Sequence, residues 1–145
     1  MIILDANVLL YAYSSESPQH ASCKTWLAAA LSGTEQIGLP WQTLLAFVRI
    51  ATHPKVFNHP ITMDRAATIV NSWLARPQVV ELNPGGNFWR TLQQQLRVAQ
   101  VRGPLVTDAA LAAMVLEQGG ILCTTDRDFR RFDGLKILDP TATRT

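Results

Sequence analysis

The feature that most constrains the fold of this chain is the alternation of short β-prone runs with longer segments of helical periodicity. Strands that alternate with helices form parallel sheets, and the helices then cover both faces of the sheet. The sequence therefore predicts an α/β sandwich around a parallel sheet. The β-prone runs comprise residues 2–4, 36–39, 79–82, 121–124 and 135–138.

Helices are predicted between these runs, and local signals set several of their limits. They span approximately residues 18–32, 41–52, 62–75, 87–102 and 106–118. Thr62 offers a capping hydroxyl at the start of one helix, and Gly119 follows the end of another. No internal repeat or linker interrupts the pattern, so we expect residues 1–145 to form a single domain.

Composition and targeting signals narrow the class of protein without identifying a function. The net charge of +2 neither indicates nor excludes binding of nucleic acid. The N-terminal residues lack the features of a signal peptide, and no run approaches the roughly 20 apolar residues of a membrane span. We therefore expect a cytoplasmic protein with no membrane partner. Cys23 and Cys123 lack zinc-site spacing and are expected to be buried, reduced thiols.

Three aspartates fall where a parallel sheet places its ligand site, beyond the carboxyl ends of the strands. Asp5 ends the first run, Asp126 follows the fourth, and Asp108 lies in the first turn of the helix that precedes the fourth. Because an unpaired carboxylate is costly to bury, these side chains should face a crevice. Each alone also suits a turn or a helix N-terminus, but their convergence on one edge favours a functional site.

The predicted site contains only oxygen ligands, and this determines the metal and the chemistry that it suits. Carboxylates without neighbouring His or Cys favour Mg²⁺ or Mn²⁺ over zinc. Such an ion activates water and offsets the charge of a phosphodiester in the transition state, so the pattern indicates hydrolysis of RNA or DNA. Arg127, Arg130 and Arg131 follow the third aspartate and are candidates to bind RNA phosphates.

Three motifs, in this order, resemble those of PIN domains, and more narrowly those of VapC toxins from VapBC toxin–antitoxin pairs. The resemblance covers nearly the whole chain. Each motif alone is weakly specific, whereas three in the family's order and spacing are strongly specific. They are Ile3-Leu4-Asp5-Ala6-Asn7, Thr107-Asp108-Ala109-Ala110-Leu111 and Thr124-Thr125-Asp126-Arg127-Asp128-Phe129.

This resemblance implies a three-layer sandwich with a five-stranded parallel sheet, and a Mg²⁺-dependent endoribonuclease that cleaves cellular RNA. It also implies homodimerisation and inhibition by a cognate VapB antitoxin, whose helix would bind a groove formed partly by the apolar residues between Val8 and Leu31. By the same resemblance, Asp5, Asp108 and Asp126 are the catalytic metal ligands, and Asp128 is a further acid of the last motif.

The chain departs from the family pattern at Ala46, where PIN domains usually carry a glutamate. Gln42 lies four residues earlier on the same helical face, so it or Asp128 could substitute for that acid. Glu117 is less suitable, because nine positions after Asp108 it should point to the opposite face of its helix. A missing carboxylate predicts weaker metal binding, with one ion well held rather than two.

Neighbouring polar residues are candidates to orient a metal-bound water or a ligand carboxylate. They are Asn7, Gln42, Thr124 and Thr125. For Asn7 and the two threonines, ordinary hydrogen bonding at the strand ends is an equally good interpretation.

The first alternative is another aspartate-based α/β enzyme. A haloacid-dehalogenase-like phosphatase also begins with an acid after its first strand, but it needs a second aspartate two residues later, where this chain has Asn7. A nucleotide site of the Walker type is excluded because its glycine-rich motif is absent. The second alternative is a catalytically eroded PIN fold that binds RNA or a protein, and the missing glutamate keeps this alternative open.

Overall fold

A fully parallel sheet of five strands forms the centre of residues 1–142, the part of the chain that the computed structural model describes. The strands are β1 (Ile2–Leu4), β2 (Ile37–Pro40), β3 (Val79–Leu82), β4 (Ile121–Cys123) and β5 (Ile137–Leu138). They are arranged in the order β3-β2-β1-β4-β5, so the first strand along the chain is the central one. The predicted α/β sandwich with a five-stranded parallel sheet is therefore confirmed.

Within residues 1–142, six α-helices and one 3₁₀ helix accompany the strands. The α-helices are α1 (Ala6–Tyr13), α2 (His20–Ser32), α3 (Trp41–Ala51), α4 (Met63–Leu74), α5 (Phe88–Val98) and α6 (Leu105–Gln118), and the 3₁₀ helix is Arg127–Arg131. The hydroxyl of Thr62 accepts a hydrogen bond from the backbone N–H of Arg65 and so caps α4. Gly119 ends α6 in the left-handed region at φ 63°. None of the helices within residues 1–142 is long and apolar enough to cross a membrane.

The sheet carries a hydrophobic core on each face, because successive residues of a strand point in opposite directions. Leu4 belongs to the core that packs against α1 to α4, where Phe47 and Trp73 are fully buried. Ile3 belongs to the core that packs against α5 and α6. Cys23 and Cys123 are both buried free thiols, which confirms their predicted state.

Helix α1 is absent from the sequence-based predictions. Five of its eight residues are buried, so apolar side chains cover most of its circumference and the polar–apolar alternation of an amphipathic helix is missing. Its N-terminus is set by Asp5, whose carboxylate accepts a hydrogen bond from the backbone N–H of Ala6. The helix therefore begins at the residue that ends the central strand.

Several element ends differ from the predicted ones by one to four residues. Strand β5 is shorter than predicted, and α2 begins at His20 rather than at residue 18. Helix α5 ends at Val98 instead of residue 102, because Gln100 adopts φ 53° and Gly103 adopts φ 63°, conformations that a helix cannot continue through. The existence and order of the predicted elements are unaffected.

Candidate active site

A cleft of about 260 Å³ lies at the carboxyl edge of the sheet, where the end of β1 meets the first turns of α3 and α6. Asp5, Asp108 and Asp126 all line it, together with Asn7 and Gln42. The fold thus brings three acids that are remote in sequence to one cleft. Their catalytic and metal-binding roles stay predictions.

Asp5 is held by hydrogen bonds to both oxygens of its carboxylate. The backbone N–H of Ala6 donates to Oδ1 at 2.7 Å, and the hydroxyl of Thr124 donates to Oδ2 at 2.8 Å. The backbone N–H of Asp5 donates to the carbonyl of Cys123 at 3.0 Å, which extends the pairing of β1 with β4. The carboxylate is therefore fixed in orientation by the sheet and by the start of α1.

Thr124 links the residues that follow β1 and β4. Its side chain is only 1% exposed, and its hydroxyl oxygen accepts hydrogen bonds from the backbone N–H of Asp126 at 3.1 Å and from the Asn7 amide at 3.4 Å. Because the same hydroxyl donates to Asp5, Thr124 couples the position of Asp5 to that of Asp126. Thr125 is half-buried beside it.

Asp126 and Asp128 have different environments. One oxygen of Asp126 accepts a hydrogen bond from the backbone N–H of Asp128 at 2.8 Å and so caps the 3₁₀ helix. Asp128 is exposed and forms an ion pair of 3.6 Å with Arg131. Arg127 and Arg130 are exposed on the same short helix. The roles of Asp128 as an additional ligand and of the three arginines as RNA contacts also stay predictions.

Burial and the negative charges of neighbouring acids raise the pKa values of Asp5 and Asp108. The pKa of Asp5 is raised to about 6, mainly by burial and also by the charges of Asp108 and Asp126, although hydrogen bonds from Thr124 and Ala6 partly oppose the rise. Burial also raises the pKa of Asp108, aided by Asp126 and Asp128 and opposed by Arg131. Within residues 1–142, no ion pair joins Asp5, Asp108 or Asp126 to a basic side chain. The cleft therefore concentrates negative charge.

The side chains that could hold a divalent metal ion in the cleft offer oxygen donors. Among the described residues, no group of three or more His, Cys, Asp or Glu side chains is arranged to ligate an ion directly. The oxygen Oδ1 of Asn7 is buried and has no hydrogen-bond donor in that part of the chain. The carboxylate and amide oxygens that line the cleft are the donor type that suits an oxygen-seeking cation such as Mg²⁺.

Helix α3 contributes neutral side chains to the cleft. Ala46 lines it at the position where the family pattern has glutamate. The Gln42 amide donates a hydrogen bond to the carbonyl of Thr107 at 3.2 Å. Thr43, which the sequence analysis did not single out, donates to the carbonyl of Leu4 at 2.8 Å. The only sequence signal for Thr43 is a β-branched hydroxyl residue in the first turn of a largely apolar helix.

Glu117 lies away from the cleft. Its carboxylate accepts hydrogen bonds from the backbone N–H groups of Gly85 at 2.9 Å and Asn87 at 3.0 Å. It therefore attaches the C-terminal part of α6 to the loop before α5.

Comparisons with known proteins agree on one family. The PIN domain family model matches residues 2–135. Ribonuclease VapC37 of Mycobacterium tuberculosis is 41% identical over 142 residues, which cover 98% of this chain and 99% of that protein. Ribonuclease VapC33 of the same species is 36% identical over 140 residues, with coverages of 97% and 98%. The solved structure of VapBC-1 from nontypeable Haemophilus influenzae shares the fold, with a TM-score of 0.70, 17% identity and coverages of 98% and 100%.

Proposed function

This chain belongs to the PIN domain family and, within it, to the VapC ribonucleases, and from that premise we propose that it is a toxin that cleaves cellular RNA endonucleolytically with the help of Mg²⁺ or Mn²⁺. The observation that carries the proposal is the shared cleft of Asp5, Asp108 and Asp126. Three carboxylates that repel one another, and that pair with no basic side chain among residues 1–142, favour a divalent cation as their counter-ion.

Asp5, Asp108 and Asp126 would hold the ion, directly or through its water shell. When bound, such an ion supplies an activated water and offsets charge on the phosphodiester. Thr124 holds the Asp5 carboxylate in a fixed orientation, and Asn7, which also lines the cleft, has a buried amide oxygen with no donor among residues 1–142. Arg127 and Arg130 are exposed beside Asp126, where they could bind the RNA backbone without selecting a sequence.

A protein inhibitor is the proposed partner. A groove of about 350 Å³ runs between α1 and α2, and Tyr13, Leu27 and Leu31 give it an apolar lining. Tyr13 is 44% exposed, so part of this aromatic side chain is accessible to a partner. This groove suits the apolar face of a helix, so we assign it to a VapB-type antitoxin.

A homodimer is proposed from the exposed side of α3. Trp41 is 40% exposed and Leu45, one turn later, is 64% exposed, so an apolar strip follows this helix. Trp73, by contrast, is fully buried among Tyr13 and Phe47 and serves the interior. Exposed aromatic and aliphatic side chains of this kind are typical of surfaces that bind another protein.

The proposal is tested by incubating structured RNAs with the purified protein in Mn²⁺, in Mg²⁺ and in EDTA. We expect cleavage that needs the metal and that Asp108→Asn abolishes. Asp133→Asn, which changes an exposed acid of the loop after the 3₁₀ helix, is the control and should cleave normally. Equal cleavage by wild type and Asp108→Asn would contradict the catalytic assignment. Metal-independent RNA binding with no cleavage by either protein would favour the eroded binding module.

A further inference from the structure

Two consecutive residues of α3 contact the backbone just ahead of two cleft aspartates. The hydroxyl of Thr43 donates to the carbonyl of Leu4, in the peptide group that joins Leu4 to Asp5. The amide of Gln42 donates to the carbonyl of Thr107, in the peptide group that joins Thr107 to Asp108. The first turn of one helix therefore bridges the backbone positions of both acids.

We infer that Gln42 and Thr43 are positioning residues that hold Asp5 and Asp108 at the separation at which both can bind one divalent cation. The inference rests on the proposed function, because it concerns the same ion. It assigns α3 a part in the metal site although that helix presents Ala46, and no acid, to the cleft.

Burial makes the Thr43 contact persistent. Thr43 is 2% exposed, so its hydroxyl has no solvent to bond with if the contact to Leu4 is broken. A buried hydroxyl without a partner is unfavourable, and this keeps the peptide group before Asp5 in place. Gln42 is half-buried, so its bond to Thr107 is more open to water and should contribute less.

The hydrogen bonds from Gln42 and Thr43 oppose the electrostatic repulsion between Asp5 and Asp108. The charge of Asp108 acts on Asp5 in the cleft, and no basic side chain of residues 1–142 pairs with either. Without fixed backbone positions, the two carboxylates would be free to separate in the absence of metal. Groups that orient metal ligands typically change metal affinity by roughly 10- to 100-fold when they are mutated.

The test compares Mn²⁺ affinity, measured by calorimetry, with thermal stability measured in EDTA. The variants are Thr43→Val and Gln42→Met, which remove the donors but preserve side-chain size, and their double mutant. We expect each single change to weaken Mn²⁺ binding several-fold and the double mutant to weaken it by about tenfold or more. Thr43→Ser retains the hydroxyl and should restore nearly wild-type affinity.

Two matched controls remove the same kind of bond elsewhere. Gln78→Met breaks an amide contact to the carbonyl of Leu31, and Thr52→Val breaks a hydroxyl contact to the carbonyl of Val48. Both remove a hydrogen bond of the same chemical type and should leave Mn²⁺ affinity unchanged, whatever their effect on thermal stability.

The outcomes separate this inference from the proposed function. If the wild type binds Mn²⁺ and Asp5→Asn loses binding, but the α3 double mutant binds as tightly as the controls, the positioning role is wrong and the metal site stands. If the wild type binds no Mn²⁺ at all, the proposed function itself is contradicted, and the positioning role with it.

Discussion

Asp5 occupies a position with two conflicting demands. It ends the central strand and caps α1, so its backbone and both carboxylate oxygens are fixed by hydrogen bonds. It is also largely buried beside two other acids, which raises its pKa to about 6. A residue that is so well oriented and yet unfavourably charged is typical of a functional site.

The raised pKa of Asp5 predicts how stability depends on pH in the metal-free protein. Between about pH 4 and pH 6 the folded state retains a proton that the unfolded state has lost, so the free energy of unfolding should fall as pH rises through this window. The loss attributable to Asp5 should be about 1 to 3 kcal/mol. Urea denaturation in EDTA at several pH values measures it.

Asp5→Asn is the control for that prediction, because the amide is nearly isosteric and does not titrate. The variant should have a flatter pH dependence and, above pH 6, a higher metal-free stability than the wild type. Parallel curves for the two proteins across the whole window would show that Asp5 has an ordinary pKa and would contradict the account of its burial.

Ala46 lines the cleft at the position where the family pattern has a glutamate. Ala46→Glu adds a fourth carboxylate to the cleft, and it should tighten Mn²⁺ binding by roughly tenfold, the effect of about 1.4 kcal/mol, while lowering the melting temperature in EDTA. Gln94→Glu adds the same charge at an exposed position of α5, away from the cleft, and should change neither quantity appreciably. Unchanged Mn²⁺ affinity in a folded Ala46→Glu protein would mean that this position does not face the ion.

The cleft acids were accessible to sequence reasoning because each adjoins an element whose end could be predicted. Asp5 and Asp126 follow apolar strands, and Asp108 lies in the first turn of a helix. The contacts of Gln42 and Thr43 were not accessible, because their partners lie 65 and 39 residues away in sequence. Only the packing of α3 against the strand ends creates them.

Amphipathic periodicity and caps were the signals that identified helices, and they found every α-helix of residues 1–142 except α1, but not the 3₁₀ helix. That helix contributes Val8 and Leu9 to the core and also lies beneath the cleft through Asn7 and Leu10, so it is buried on more than one side. A helix without a polar face has no periodic pattern to detect. The strand ends differ from the predicted ones for another reason, because hydrogen-bonded pairing with neighbouring strands determines where each strand begins and ends.

The attachment of α6 to the loop before α5 predicts a purely structural role for Glu117. Glu117→Ala removes the acceptor for two backbone N–H groups and should lower the free energy of unfolding by about 1 to 2 kcal/mol. RNA cleavage at saturating metal should be unchanged, because the carboxylate lies away from the cleft. Glu117→Gln retains one acceptor and should be intermediate in stability. A loss of metal affinity in either variant would reassign Glu117 to the site.

For the binding of ions and polyanions, the distribution of charge over the molecule matters more than the net charge of +2. Asp5, Asp108 and Asp126 line the cleft, while Arg127 and Arg130 are exposed on the 3₁₀ helix that follows Asp126. Local separation of this kind allows one surface to bind a metal ion and a polyanion side by side. A net charge computed from the sequence cannot reveal it.

If Arg127 and Arg130 bind RNA phosphates, replacing them should change the salt dependence of RNA binding. In an Asp108→Asn background, Arg127→Gln combined with Arg130→Gln should weaken binding similarly for all RNA sequences. The slope of log affinity against log salt, measured between about 50 and 200 mM, should fall by roughly 1 to 1.5. Arg76→Gln with Arg90→Gln removes the same charge from exposed sites elsewhere. An equal effect of both pairs would mean that only overall charge attracts RNA.

The central claim is that Asp5, Asp108 and Asp126 share one divalent ion. Anomalous diffraction at the manganese edge, from crystals of the protein soaked in Mn²⁺, tests it most directly. We predict one strong peak in the cleft between these three side chains, and its loss in crystals of Asp108→Asn. A wild-type map with no peak in the cleft, or a peak that Asp108→Asn leaves unchanged, would contradict the claim.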